Sequence, residues 1–249
     1  MSNIQGDDGY TGEIHVRDAG AGMRWLSEAW RMFSLNPGLW IGFILVMFTL
    51  SIVVQVLGPF GGIASSLLTP ILSAGIMIGC DRVHRGGGAL EFDDLFKAFR
   101  EPHLVPLLIM GVIYLGAAIA VVVISIVPIM GAFFLVIENN SFGGMEMIPI
   151  LLGAAFFSAL MLPLMAATWM AGPLIVLNQV APFDALKMSL VGCFKNWLPF
   201  LIYGLVTLPL AIAATLPLLI GWIVLAPVII ASVYASYRDI YYANGGDHV

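Results

Sequence analysis

Residues able to do polar chemistry are sparse along this chain, and their positions narrow the chemistry open to it. Inside the apolar runs the candidates for holding a ligand are Asn178, Gln179 and Gln55, with scattered Ser and Thr. Asn178 and Gln179 follow Pro173 closely. A proline cannot donate to the carbonyl four residues back, so nearby amides could complete a binding site in a broken helix. The same amides could instead bond a neighbouring helix and fix packing, for about 1 kcal/mol each. Gln55, near the far end of an apolar run, also suits a cap or an interfacial position. Ion-coupled transporters and proton relays usually keep Asp, Glu, Lys, Arg or His at membrane depth. None stands at such depth here.

Catalytic patterns are missing from the sequence. It contains no Ser-His-Asp order, phosphate loop, paired catalytic carboxylates or HExxH, so no enzyme activity is expected. Cys80 and His84 are four apart, with Asp81 between them and His103 further on. Structural zinc wants four ligands in paired spacings, so neither metal nor cofactor is expected. Glu91, Asp93 and Asp94 form the densest acidic cluster and suit a solvated helix N-terminus. Arg82, Arg85, Lys97 and Arg100 bracket that segment. Attraction of such residues to anionic lipid headgroups is worth ~1 kcal/mol each. The net charge of −5 gives no reason to expect nucleic acid; lipids, or a membrane-protein partner, are the expected contacts.

The elements that must position these residues are apolar helices. The chain of 249 residues is 60% hydrophobic and 10% charged, against about 25% charged in a soluble domain. A membrane helix needs roughly 20 apolar residues. The uncharged runs accommodate six crossings, over 39–57, 62–80, 104–127, 149–178, 198–216 and 217–237. Pro128 is expected to divide the run that continues to Ile137. Pro163 and Pro173 should kink the fourth crossing.

Three short amphipathic helices are expected between the crossings, at the interface. The first covers 24–33, with Leu26, Trp30 and Phe33 on its apolar face. The second covers 91–100, with Phe92, Leu95, Phe96 and Phe99. The third covers 182–195, with Phe183, Leu186, Leu190 and Phe194. Residues 1–22 read as a disordered tail with no apolar stretch of signal-peptide kind, and 241–249 as a second tail. All ten Lys and Arg fall before crossing one, in alternate connections, or after crossing six. The positive-inside rule then sets both termini in the cytoplasm of a multi-pass protein of the bacterial inner membrane. Cys80 and Cys193 would face a reducing compartment and stay unpaired.

A repeated signature runs through these helices. Pro70 is followed by Gly75, Gly79, Asp81 and Arg82; Pro227 by Ser232, Ser236, Arg238 and Asp239 at the same offsets. Pro173 heads a fainter copy, with Asn178 and Asp184. The expected fold is therefore all-α, a single transmembrane domain over 23–240. It comprises three units, 23–85, 90–180 and 182–240, each an interfacial helix followed by a helical hairpin. Gly75 and Gly79 are a small-residue packing motif, expected to serve contact inside the molecule rather than a dimer. Pro70, Pro173 and Pro227 mark the packed inner helices.

Several stretches resemble uncharacterised bacterial six-span inner-membrane proteins. They are Trp30, Phe33, Asn36, Pro37 and Trp40; Asp94, Leu95 and Phe96; Ala185, Leu186, Ser189 and Asn196; and Tyr234, Tyr237, Arg238, Asp239 and Ile240. The third of these is also similar to the membrane domain that accompanies some glycerophosphodiester phosphodiesterases. That family's soluble catalytic domain has no counterpart here, so the resemblance implies a fold and a compartment without the activity. The expected role is a non-enzymatic inner-membrane protein that engages lipids or partner proteins, for example in envelope maintenance. The alternative is a transporter or channel for a neutral or amphipathic molecule.

Overall fold

The computed structural model describes residues 9–86, 88–139, 147–216 and 219–243. It is all helical among these residues, apart from one isolated bridge between Tyr10 and Tyr242. The helices are α1 (Ala21–Leu35), α2 (Pro37–Gln55), α3 (Pro59–His84), a 3-10 helix (Phe92–Phe99), α4 (Leu104–Asn139), α5 (Met147–Trp169), α6 (Ala171–Asn178), α7 (Pro182–Lys195), α8 (Trp197–Thr215) and α9 (Trp222–Tyr241). Six stretches are long and apolar enough to cross a bilayer: α2, α3, α4, α5 with α6, α8 and α9. The protein is thus an all-α chain of six candidate spans.

Proline governs the joints. Pro37 and Pro182 open α2 and α7 in the first turn, where a missing N–H leaves no bond unmade. Pro70, Pro163, Pro209 and Pro227 lie inside helices that continue past them. The expected division at Pro128 does not occur, and α4 runs unbroken from Leu104 to Asn139. One lost backbone bond does not stop a helix whose surroundings offer no other way to satisfy its backbone. The fourth crossing does break. Met170 leaves helical geometry at φ −108°, ψ 1° and separates α5 from α6. Pro173 explains the position, because its ring crowds the carbonyl of Trp169.

Each of the three short helices also buries a face against the rest of the protein. Helix α1 buries Trp25, Ala29 and Phe33, leaving Trp30 outward. In α7 the buried face is Ala185, Leu186, Ser189, Gly192 and Cys193, while Phe183 is 70% exposed and Phe194 is also exposed. Aromatic residues point away from the protein here and small ones pack, because close approach between helices selects small side chains. The middle segment is a 3-10 helix instead of an α-helix, and it buries Leu95 and Ala98. Asp94 is fully buried with them, while Glu91 and Asp93 stay exposed at the start of the helix, which Glu91 and Asp94 cap.

Each short helix packs chiefly against a hairpin it does not lead into. Helix α1 lies on α8 and α9, the 3-10 helix lies on α3, and α7 lies on α5 and α6. Ala29, Asp94 and Ser189 stand at matching distances ahead of Asn36, Glu101 and Asn196, and all three are fully buried. One turn later Phe33, Ala98 and Cys193 are buried as well.

Both chain ends meet at the charged end of the bundle. The segment expected as a disordered tail is ordered from Gly9 onward. His15 N–H donates to Ile240 O at 2.9 Å and Ala243 N–H to Gly9 O at 3.1 Å. Asn196 clamps this segment, accepting from Arg17 N–H at 2.8 Å and donating to His15 O at 3.1 Å. Arg17 reaches the Asp239 carboxylate at 3.0 Å, and Trp25 Nε1 donates to the same carboxylate at 2.8 Å. Packing of this kind fixes a terminus that composition alone leaves loose. Helix α8 ends at Thr215 and α9 begins at Trp222. Residues 1–8 and 244–249 of the expected tails, Gly87 of the glycine run, the 140–146 connection and Pro217 lie outside the described residues.

Candidate functional site

The signature helices α3, α6 and α9 meet α4 and α5 around a crevice of about 590 Å³. Its position follows from the prolines. Pro70 leaves the Ser66 carbonyl without its usual helical donor, and Pro173 does the same to Trp169. Ser66, Pro70, Trp169 and Pro173 all line the crevice. Hydroxyl-bearing residues line the same space: Ser65, Thr69 and Ser73 on one face of α3, Tyr114 on α4 and Thr168 on α5, whose hydroxyl bonds back to Leu164 O and Met165 O. The remaining wall is largely apolar, including Met77, Met110 and Ile230. The Ser65 hydroxyl is buried and has no hydrogen-bond partner among the described residues. No ionisable Asp, Glu, Lys, Arg or His lines the crevice. A site of this size and lining suits an uncharged, largely apolar ligand with one or two hydrogen-bonding atoms.

The break between α5 and α6 is held open by another helix. Ser189 of α7 accepts from Met170 N–H at 2.9 Å and donates to Ala166 O at 2.7 Å. It thereby replaces both halves of the backbone bond that a continuous helix would make. Cys193 Sγ lies 3.5 Å from the same Ala166 carbonyl. Burial pushes its thiol up to about 12, so no thiolate is available there.

Beyond the crevice, towards the charged end, side chains lace the same helices together. Tyr234 on α9 donates to Asp81 on α3 at 3.2 Å. Asp81 also accepts from Arg85 at 2.7 Å, and Arg238 approaches it at 3.7 Å. Tyr237 on α9 donates to Asn178 on α6 and lies 3.1 Å from the Tyr242 hydroxyl. These contacts fall one turn past crevice-lining Met77 and Val233 on the two helices. They tie α9 to α3 and α6 at that end.

The sequence candidates are therefore separated. Asn178 is engaged by Tyr237, and neither it nor Gln179 lines the crevice. Gln179 is exposed and takes the left-handed conformation that ends α6, at φ 54°. Gln55 ends α2 at the other end of the α2–α3 hairpin, ~30 Å from Asp81 by helix rise. Gly75 and Gly79 receive the 3-10 helix. A Cβ at Gly75 would stand 2.5 Å from Leu95 O, and one at Gly79 would stand 2.7 Å from the Asp94 carboxyl carbon.

The basic residues expected to meet lipid headgroups are engaged inside the molecule. Arg82 pairs with Asp94 at 2.9 Å and Glu91 at 3.2 Å, and Lys97 pairs with Asp94. Arg85 pairs with Asp81 at 2.7 Å, and Arg100 with Asp93 at 3.3 Å. Buried Asp94 opposes its own ionisation by desolvation. The bonds from Lys97, the Glu91 N–H and Arg82 outweigh this and hold its carboxyl below the usual range. This cluster pins the 3-10 helix to α3.

Ser65 and Tyr114 were not singled out by sequence, since each is one hydroxyl in an apolar run, and Ser189 stood out only as part of a resembling stretch. The residues carrying the family resemblance largely make contacts between segments: Asp94, Ser189, Asn196, Tyr234, Tyr237 and Asp239 each bond another element.

The chain is 25% identical to a protein of Burkholderia thailandensis described as a probable inner membrane protein, across 90% of this chain and 92% of that one. No family model and no solved structure matches. The relative and the six apolar helices together place the chain among multi-pass inner-membrane proteins.

Proposed function

We propose that this is a non-enzymatic inner-membrane protein that holds a neutral or amphipathic, lipid-like molecule in the crevice beside Pro70 and Pro173. The observation that carries the reading is an uncharged crevice in apolar helices, lined by clustered hydroxyls and two residues whose carbonyls proline frees. The protein is oriented with both termini in the cytoplasm, where all its basic segments fall. Its scaffold is a threefold repeat in which each short helix docks on the preceding hairpin, and α1 closes the ring on the last one. Such a protein would serve envelope maintenance by storing or presenting the bound molecule, alone or to a membrane partner.

The test is native mass spectrometry of protein extracted from its membrane. The parent should retain a lipid-like molecule, and Ser73→Phe, which fills the crevice, should lose it while keeping its helical circular dichroism. A parent that retains nothing, or a filled variant that retains as many lipid-like molecules per chain as the parent, would falsify the reading.

The laced end favours a second reading, transport of the same class of molecule. A crevice whose helices α3, α6 and α9 are tied at one end by a few side-chain bonds is suited to open there. Tyr234→Phe and Asn178→Ala should then change flux of a neutral amphiphile in proteoliposomes. Absence of flux from the parent would remove this reading and leave the first in place.

A further inference from the structure

A second pocket, of about 520 Å³, lies between α1, the start of α2, the end of α3 and the segment after it. Its level along the helices is marked by Trp40, near the start of apolar α2, and by His84, which ends α3. The floor is apolar, formed by Met32, Val83 and Leu90 with the buried Trp40, whose indole N–H donates to Met32 O at 3.1 Å. Leu35, which also lines the pocket, is 78% exposed and carries the apolar lining outward. The polar rim carries both signs of charge. Glu28 and Arg31 stand 2.7 Å apart on α1, both accessible.

We propose that this pocket holds the headgroup of a zwitterionic aminophospholipid, of the phosphatidylethanolamine class. A pair of opposite charges offers no net attraction to a simple anion or cation. A headgroup carrying phosphate and ammonium can meet both partners at once, phosphate on Arg31 and ammonium on Glu28. Each bond is then charge-assisted. The volume exceeds that of a headgroup alone, which leaves room for the glycerol and first methylenes over Met32 and Val83. Phospholipid is also the abundant amphiphile where an apolar floor opens to the acyl region.

The experiment reconstitutes the full chain with equal phosphatidylethanolamine and phosphatidylglycerol and counts retained lipids by native mass spectrometry. The parent should retain the ethanolamine lipid preferentially. Glu28→Gln and Arg31→Gln should each lower that retention about tenfold, the scale of one lost charge-assisted bond. Both variants should fold, because an exposed i,i+3 pair adds little to stability. The exchanged variant Glu28→Arg/Arg31→Glu restores both signs and should recover retention. Equal retention of the two lipids by the parent, or unchanged retention in both single variants, would overturn the proposal. Ser73→Phe in the crevice should leave this preference intact, so the two sites fail or stand separately.

Discussion

Replacing Ser189 by alanine removes the group that holds the α5–α6 break, and the cost can be worked from two distances. The Met170 N–H loses an acceptor at 2.9 Å and the Ala166 carbonyl a donor at 2.7 Å, in a site where Ser189 is fully buried. The carbonyl keeps a weak donor in Cys193 Sγ at 3.5 Å, so most of the loss falls on the N–H. An unsatisfied buried donor costs about 1–3 kcal/mol. We expect Ser189→Ala to lower stability by about 2 kcal/mol, read from reversible unfolding in mixed micelles. Interhelical bonds in membranes average ~0.6 kcal/mol, because the separated groups find other partners. A main-chain N–H beside a proline break has fewer alternatives, hence the larger figure. Ser158→Ala is the reference: its hydroxyl only bonds back to Ala154 O at 2.9 Å, so its change should stay within about 0.5 kcal/mol. Pro173→Ala restores a backbone donor and relieves Trp169, letting the helix close. In that background Ser189→Ala should cost at least ~1 kcal/mol less. Equal losses for Ser189→Ala and Ser158→Ala, or strict additivity with Pro173→Ala, would refute the account of the break.

Gly75→Ala sets a methyl 2.5 Å from Leu95 O and should destabilise by about 1–3 kcal/mol, while Gly116→Ala, with open space around it, should not; thermal melts in detergent compare them. Asp94 has a lowered carboxyl pKa, so its contribution is fully present above about pH 4 and is lost as pH falls through the lowered value. Release of the 3-10 helix in acid, followed by hydrogen exchange at 92–99, should be absent in Asp94→Asn, which is already weakened at neutral pH. Arg17→Ala should expose Trp25 by breaking the shared Asp239 contact, and its fluorescence should shift red. Alkaline phosphatase fused after Val249 should be inactive in cells if, as proposed, that end lies in the cytoplasm; activity would reverse the orientation.

The six spans were legible because the bilayer imposes one requirement, length of apolar helix, and the sequence meets it without competing signals. The short helices were legible as segments with an apolar face, but their protein-facing side was not: in α7 it is made by Leu186 with Ala185, Ser189 and Gly192, small residues that no apolar stripe marks. Pro128 and Pro173 are locally alike, yet only the second coincides with a break, where α7 supplies Ser189 from another part of the chain. The crevice was hidden for the same reason. Ser65, Thr69 and Ser73 form a row on one helix, but what they face depends on α4, α5, α6 and α9, and no local rule states that.

The packing of α1 on the last hairpin has a consequence for synthesis. About 200 residues separate Leu35 from Tyr241, and at about 5–20 residues per second they take roughly 10–40 s to make. Throughout that interval the first helix translated lacks the α8 and α9 surfaces against which Ala21, Trp25 and Ala29 are finally buried. Its aromatic face must wait on the membrane surface or in the care of an insertion factor. A ribosome stalled before residue 222 would leave that face open, without the α9 surface it finally packs on.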